Sequence, residues 1–376
     1  MKSISFAVQS PVELEKKLKE LIPQAIRPTL AISFCSVKTG IREVAGIFGS
    51  AGIPVFGSSS CGEILAGTDD QAIYEQSIVV SLIEIAEAHF RLKAFSQEET
   101  GSFSMGEQIG HWAGKTFDNP VVLIVASGLK TDGQQLVKGI LEKAGKQTVM
   151  FGGLAGDDGL FEKTFVFSDT EILDNGANVL VLDGDHIIVN GLATSGWIGL
   201  GKDLTVTRSE GNIVYSIDNE PALEVYKKYL NVRDEDLPAI GVEYPLMIRR
   251  SETDHSLRAV MEVEKKNKAL IFAGTVPQGS IVRFSSSPGF EVMETTKEKI
   301  YDFFLENPET DILLIFSCMA RHLALGPVIT EELTYATELW KTPMTGFFTY
   351  GEIGTNKNKT CDFYNQTYTL VVIKEK

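Results

Sequence analysis

The sequence predicts a mixed α/β (α+β) protein of two similar halves, each built from βαβ units accompanied by antiparallel strands. Three observations carry this. An apolar run, a helical stretch and a Gly/Ser-rich strand end follow one another three times; turn signals separate further strand-like runs; and 376 residues exceed what one core usually fills.

The first copy starts at residues 30–36 (LAISFCS), passes through a helix-like stretch with Val44 and Phe48, and arrives at residues 53–63 (IPVFGSSSCGE). Residues 121–128 (VVLIVASG) open the second, which continues through Leu136, Val137, Ile140 and Leu141 at helical spacing to residues 148–157 (TVMFGGLAGD). In the third, residues 312–318 (ILLIFSC) lead through a helix over 329–340 to residues 344–352 (MTGFFTYGE). Unbroken apolar runs suit strands covered on both faces, and ligands of such units gather where the strands end and the loops open.

Between the copies, residues 77–85, 89–95, 164–167, 178–182, 186–192 and 204–207 read as strands. Asp183-Gly184 predicts a two-residue hairpin joining 179–182 to 187–189, and Glu210-Gly211-Asn212 another joining 205–208 to 213–216. A proline after an acid starts a helix over 221–230 (PALEVYKKYL). The halves are placed at 1–200 and 201–376, with the boundary in the region 195–220.

Charged residues are 23% of the chain and hydrophobic ones 43%, so disorder is not indicated. The net charge of -15 includes no basic stripe, which argues against nucleic acid as a partner. No apolar segment reaches the ~18 residues needed to span a bilayer, and residues 1–11 lack a basic start followed by an apolar run. A cytoplasmic protein without membrane insertion is expected. Cys35, Cys61, Cys318 and Cys361 are far apart with no CxxC pair, so buried free thiols are expected and neither disulfides nor a metal site.

Residues 57–64 (GSSSCGEI) gather small residues and hydroxyls at a strand end, where free backbone N–H groups could meet an anion or carboxylate. A tight turn explains the glycines equally well, and no phosphate-loop spacing is present. Residues 350–354 (YGEIG) repeat the Gly-Glu-Ile at the matching place, which makes Glu63 and Glu352 equivalents. Paired carboxylates serve acid/base chemistry, receive a ligand ammonium or support loop amides; binding or loop support is preferred. Arg321, closing the third strand after Cys318, either grips a ligand carboxylate or makes an internal salt bridge, for instance with Glu352. The five histidines are read as structural.

Taken together, residues 57–64, 208–223 with Asn219-Glu220-Pro221-Ala222, 244–246, 276–279 (VPQG), 316–321, 346–354 and 365–367 resemble, in order, landmarks of the N-terminal and C-terminal FIST domains. The resemblance implies a sensory, signal-transducing protein, small ligands such as amino acids, and no catalysis. Some relatives bind haem, and the histidine common before the Asn-x-Thr element is replaced here by Tyr364.

The resulting expectation is a receptor that binds a small molecule, an amino acid or related carboxylate, between two α/β halves and signals through a partner protein. Its ligand residues are expected among Ser59, Ser60, Cys61, Glu63, Cys318, Arg321, Tyr350, Gly351, Glu352 and Asn365, with the Glu63 and Glu352 loops facing a shared cavity and Arg321 at its edge. No cofactor is expected. The alternatives are a haem sensor using His186, His255 or His322, and an enzyme acting through Cys61 or Ser59.

Overall fold

A computed structural model describes residues 1–376 apart from 23, 68–71, 238, 250–254, 288, 290 and 358. The first copy runs β1 (Lys2–Val8), α1 (Pro11–Leu21), β2 (Leu30–Cys35), α2 (Ile41–Ala51), β3 (Val55–Ser59), a short pair β4 (Glu63–Ala66) and β5 (Ile73–Tyr74), and β6 (Ile78–Glu84). The second repeats it: β7 (Phe90–Ser96), α3 (Gly101–Thr116), β8 (Pro120–Ala126), α4 (Gly133–Ala144), β9 (Val149–Leu154), β10 (Val166–Phe167), β11 (Ile172–Leu173) and β12 (Gly176–Asp183).

The third copy opens with β13 (Ile187–Thr194) and is then interrupted. The interruption holds β14 (Ile198–Glu210), β15 (Ile213–Ile217), β16 (Glu220–Pro221), α5 (Ala222–Leu230), α6 (Ala239–Glu243), β17 (Leu246–Arg249), β18 (His255–Arg258), β19 (Val260–Glu264), β20 (Ala269–Phe272) and β21 (Ile281–Ser286). The copy resumes with α7 (Glu291–Glu306), β22 (Ile312–Cys318), α8 (Met319–Leu325), α9 (Thr330–Trp340), β23 (Met344–Thr349), β24 (Glu352–Thr355), β25 (Cys361–Tyr364) and β26 (Tyr368–Glu375).

Each copy forms a six-stranded sheet whose inner pair, β2–β3, β8–β9 or β22–β23, is parallel. The two strands at one end of each sheet come from a different copy. Hairpin β10–β11 of the second copy completes the first sheet, β24–β25 of the third completes the second, and β4–β5 of the first completes the third. Two of the three sheets therefore draw strands from both sides of residue 200.

Inward side chains of all three sheets meet in one central core, where Phe34, Phe316 and Phe347 pack with centroids 4.4–6.2 Å apart. The outer faces are covered by helix pairs: α1 and α2 bring Leu14, Leu18, Val44 and Phe48, α3 and α4 bring Met105, Ile109, Leu136 and Ile140, and α7 and α9 bring Ile300, Phe303 and Leu333. This two-sided cover is why the inner strands read as unbroken apolar runs. Caps fix the helix starts: the Ser10 hydroxyl accepts from the Glu13 N–H with Pro11 next to it, and Asp132 accepts from the Gln135 N–H at 3.0 Å. Helices α3 and α4 press together because a Cβ on Gly106 would lie 2.4 Å from the Leu136 carbonyl oxygen.

The interruption makes an eight-stranded antiparallel sheet with its own core around Val206, Ile217, Tyr226, Phe272 and Phe284. Its chain enters and leaves side by side, since Ile198 pairs with Ser286.

Glu210-Gly211-Asn212 is the expected hairpin, with Glu210 opposite Ile213. Asp183-Gly184 is a turn but not a hairpin: β12 pairs with β7 and β8 in the second sheet, whereas β13 pairs with β26 in the third. Burial of each strand inside its own sheet outweighs the local pairing that the turn invites. Among the described residues no helix is long and apolar enough to cross a membrane.

Candidate functional site

The chain leaves β3 and β23 through equivalent turns, and each turn delivers a glutamate to the start of a strand in another copy's sheet: Glu63 opposite Phe347, Glu352 opposite Gly153. Both carboxylates are fully buried. Glu63 accepts from the Ser60 hydroxyl on one oxygen and from the Ser77 N–H (3.0 Å) and hydroxyl (2.6 Å) on the other. Glu352 accepts from the Thr349 hydroxyl (2.5 Å) and from the Thr367 N–H (3.2 Å) and hydroxyl (2.7 Å). Burial pushes each carboxyl up to about 7, against the pull of these donors.

The second copy places Asp157 at the corresponding position but lacks the cage, because Leu154 stands where the others have Ser60 and Thr349. Asp157 instead accepts N–H bonds from Phe161 (3.0 Å), Glu162 (2.7 Å) and Lys163 (2.8 Å), and the Tyr350 hydroxyl donates to it. The Tyr350 ring stacks on Phe161 at 4.8 Å. Cys61 lies against this group, and burial pushes its thiol up to about 11.

Backbone hydrogen bonds tie the three turns to one another at one end of the molecule. Cys61 donates to the Phe348 carbonyl and Phe348 to that of Gly62; Tyr350 donates to Leu154 and Leu154 to Gly351; Gly156 donates to Ser59. The two Gly-Glu turns therefore lie on the same side, but the carboxylates point into separate cages, each with its own hydroxyl and amide donors. The shared-cavity expectation is corrected on this point: each carboxylate accepts three bonds from hydroxyls and an amide of its own turn and returning strand, and so braces that turn.

Arg321 is fully buried, in an ion pair with Glu332 at 2.7 Å and 3.0 Å. It also donates to the Ser195 carbonyl, the Thr296 hydroxyl (3.2 Å) and the Gln366 carbonyl (3.5 Å), and lies 5.3 Å from the Trp197 ring. Its partner is thus internal, and it is Glu332 rather than Glu352. Cys318 is buried and its thiol is pushed up by burial. Ser59 donates to the Gly156 carbonyl at 2.6 Å. Gly351 has no room for a Cβ, which would meet Phe363 at 2.3 Å; Asn365 is buried with its Oδ1 unpartnered among the described residues.

Of the expected residues, Tyr350 faces open space. It lines a cleft of 410 Å³ at the carboxyl ends of β8 and β9. One wall is the β8–α4 turn over 128–133 together with Phe161; the opposite wall is the interrupting sheet, with Asn212, Met261 and residues 271–275, and Phe363 lies beside Tyr350. Leu129, Phe161 and Met261, three of the chain's exposed large apolar side chains, converge here at 40%, 48% and 40% exposure. Buried Arg258 clamps the two walls, donating to Gln134 Oε1 (2.9 Å) and to the carbonyls of Thr275 (3.2 Å), Leu257 (2.9 Å) and Phe363 (3.3 Å).

Ser77, Thr367, Asp157, Phe161, Met261 and Glu332 were not singled out as site residues from the sequence. Gln76-Ser77-Ile78 and Gln366-Thr367-Tyr368 repeat in front of equivalent strands, a signal that points to the cage donors. Of the histidines, His186 stacks on His89 at 4.3 Å and contacts Asp183 at 2.8 Å, His322 stacks on Phe348 at 4.2 Å and is held below its usual range by burial, and His255 lines a separate hollow with Tyr364.

The FIST N domain model matches residues 29–220, and the FIST C domain model matches residues 222–355. The junction between the matches falls inside the interrupting sheet. No curated protein matches the chain.

Proposed function

This chain belongs to the FIST family, whose domains act in sensing and signal transduction and are not a known enzyme family, and from that premise we propose a small-molecule receptor whose ligand sits in the Tyr350–Phe161 cleft. One observation carries the reading: exposed Leu129, Phe161 and Met261 converge from both walls of a cleft built where strands end. At 410 Å³ it falls within the ~300–1,000 Å³ usual for small-molecule sites.

An apolar or aromatic ligand body would lie on the stacked Phe161–Tyr350 pair, and a carboxylate would reach the exposed Lys130 on the β8–α4 turn. Such a ligand touches the second copy on one side and the interrupting sheet on the other. Because that sheet has its own core and is joined through the adjacent residues Ile198 and Ser286, occupancy would fix its position against the rest. A partner protein would read that position.

The test is a thermal-shift and calorimetric screen of amino acids and aromatic carboxylates on the full chain, repeated on Phe161→Ala and on Leu305→Ala, whose exposed side chain lies outside the cleft. Binding lost in the first variant and kept in the second is expected. No stabilising compound, or equal affinity in Phe161→Ala, would overturn the assignment.

A further inference from the structure

We propose that the groove along the free edge of β13 receives an extended acidic peptide segment of a partner protein, added as a strand to the third sheet. The inference does not rest on the ligand assigned above.

β13 is the terminal strand of its sheet and, among the described residues, pairs with β26 alone. Its outward N–H and C=O groups are a template for strand addition. Two hollows of 310 and 440 Å³ run beside this edge and share Gly191, Asn356 and Lys357, so they form one groove past residues 189–195. At about 3.4 Å per residue, that stretch accommodates a segment of roughly six residues. Thr194 in the same groove is 4% exposed, and its hydroxyl has no partner among the described residues.

Charge selects the occupant. The chain as a whole carries -15, yet the groove walls hold Lys299, Lys357 and Lys359 against Asp302 and Glu306. Lys357 is engaged with Glu306 at 2.9 Å, which leaves Lys299 and Lys359 facing the single carboxylate of Asp302. Lys299 is exposed and makes no ion pair among the described residues. The equivalent edge of the second sheet, β7, differs: its hollow has Glu87, Asp169 and Glu171 beside Arg91 and Lys93 and offers no cationic excess. A segment with acidic side chains on alternate residues therefore pairs its backbone with β13 and its carboxylates with these lysines.

A displayed pool of random octapeptides, selected on the full-length protein at low salt, tests this. Enriched peptides are expected to carry Asp or Glu at alternate positions, and to slow amide exchange at residues 189–195. They should bind Lys299→Glu and Lys359→Glu at least fivefold more weakly, both variants keeping the parent melting temperature because these side chains are exposed. Methylating alternate backbone nitrogens of the best peptide should abolish binding. An empty selection, peptides without acidic character, undiminished affinity for the two variants, or tolerance of backbone methylation would each overturn the proposal.

Discussion

Glu63 and Glu352, 289 positions apart in the chain, occupy the same cage: a hydroxyl three residues before each one, and the N–H and hydroxyl of one residue at the head of a returning strand. Burial raises both from the ordinary 4.5 to about 7. Between those values the folded state keeps protons that the unfolded state has released. The stabilisation is complete below pH 4.5 and is lost as pH rises through 7.

Glu63→Gln and Glu352→Gln should each flatten that fall, because an amide keeps one acceptor for the Ser77 or Thr367 donors and turns its NH₂ to the other hydroxyl. At about 1.36 kcal/mol per unit, each variant should be more stable than the parent at pH 8 by on the order of 1–3 kcal/mol. Denaturant titrations of parent and variants at matched pH check this. The difference between them isolates the carboxylates from His322, which burial holds low and which therefore works in the opposite direction. Unchanged slopes would show that the cages titrate elsewhere.

Arg321→Met should cost about 3–5 kcal/mol in the ligand-free protein, since it strands the buried Glu332 carboxylate. Replacing both partners, Arg321→Met with Glu332→Leu, should recover much of the loss. Urea unfolding of the single and double variants measures it, and a cost under about 1 kcal/mol for the single variant would contradict the buried pair.

Tyr350→Phe removes the hydroxyl that donates to Asp157 and keeps the ring on Phe161. A hydrogen bond to a charged acceptor is worth about 1.5–3 kcal/mol, and that loss of stability is expected while affinity for an apolar ligand body stays within a few fold. Tyr350→Ala should lose affinity as well. Calorimetry of both variants separates brace from platform.

Arg258→Met should loosen the interrupting sheet from the rest, because four acceptors on both walls converge on that guanidinium. Limited proteolysis is expected to accelerate at the crossings near residues 195–198 and 286–287, with little change in cleavage within the central core. Equal cleavage rates in parent and variant would place the clamp elsewhere.

The inner strands, the helices over them and the three-copy pattern were legible because each is a run of neighbours with one burial demand. The equivalence of Glu63 and Glu352 was legible for the same reason. The pairing of β13 with β26 was not: Ile187 lies opposite Glu375, and 89 residues of another sheet, from Ile198 to Ser286, stand between. The partner of Arg321 was equally hidden, since Glu332 lies 11 residues on across α8 and the start of α9, and only the packing of α9 against the sheet turns it inward. The cleft was invisible for a further reason: its walls come from residues 128–161 and 212–363, and exposed Leu129, Phe161 and Met261 carry no local signature.

The cyclic trade of hairpins also sets an order of synthesis. As the chain leaves the ribosome, the first sheet has all six of its strands once Leu173 has emerged. The second must wait for β24 and β25, and the third for β26, which ends at Glu375. Meanwhile β4 and β5 have no sheet to join for nearly 300 residues of elongation, about 15–60 s at 5–20 residues per second. The nascent protein thus carries the unpaired β4–β5 strands of its first copy until β23 has appeared, and a message truncated before residue 352 yields a chain whose second sheet lacks its exchanged hairpin, so that the ring of exchanges stays open.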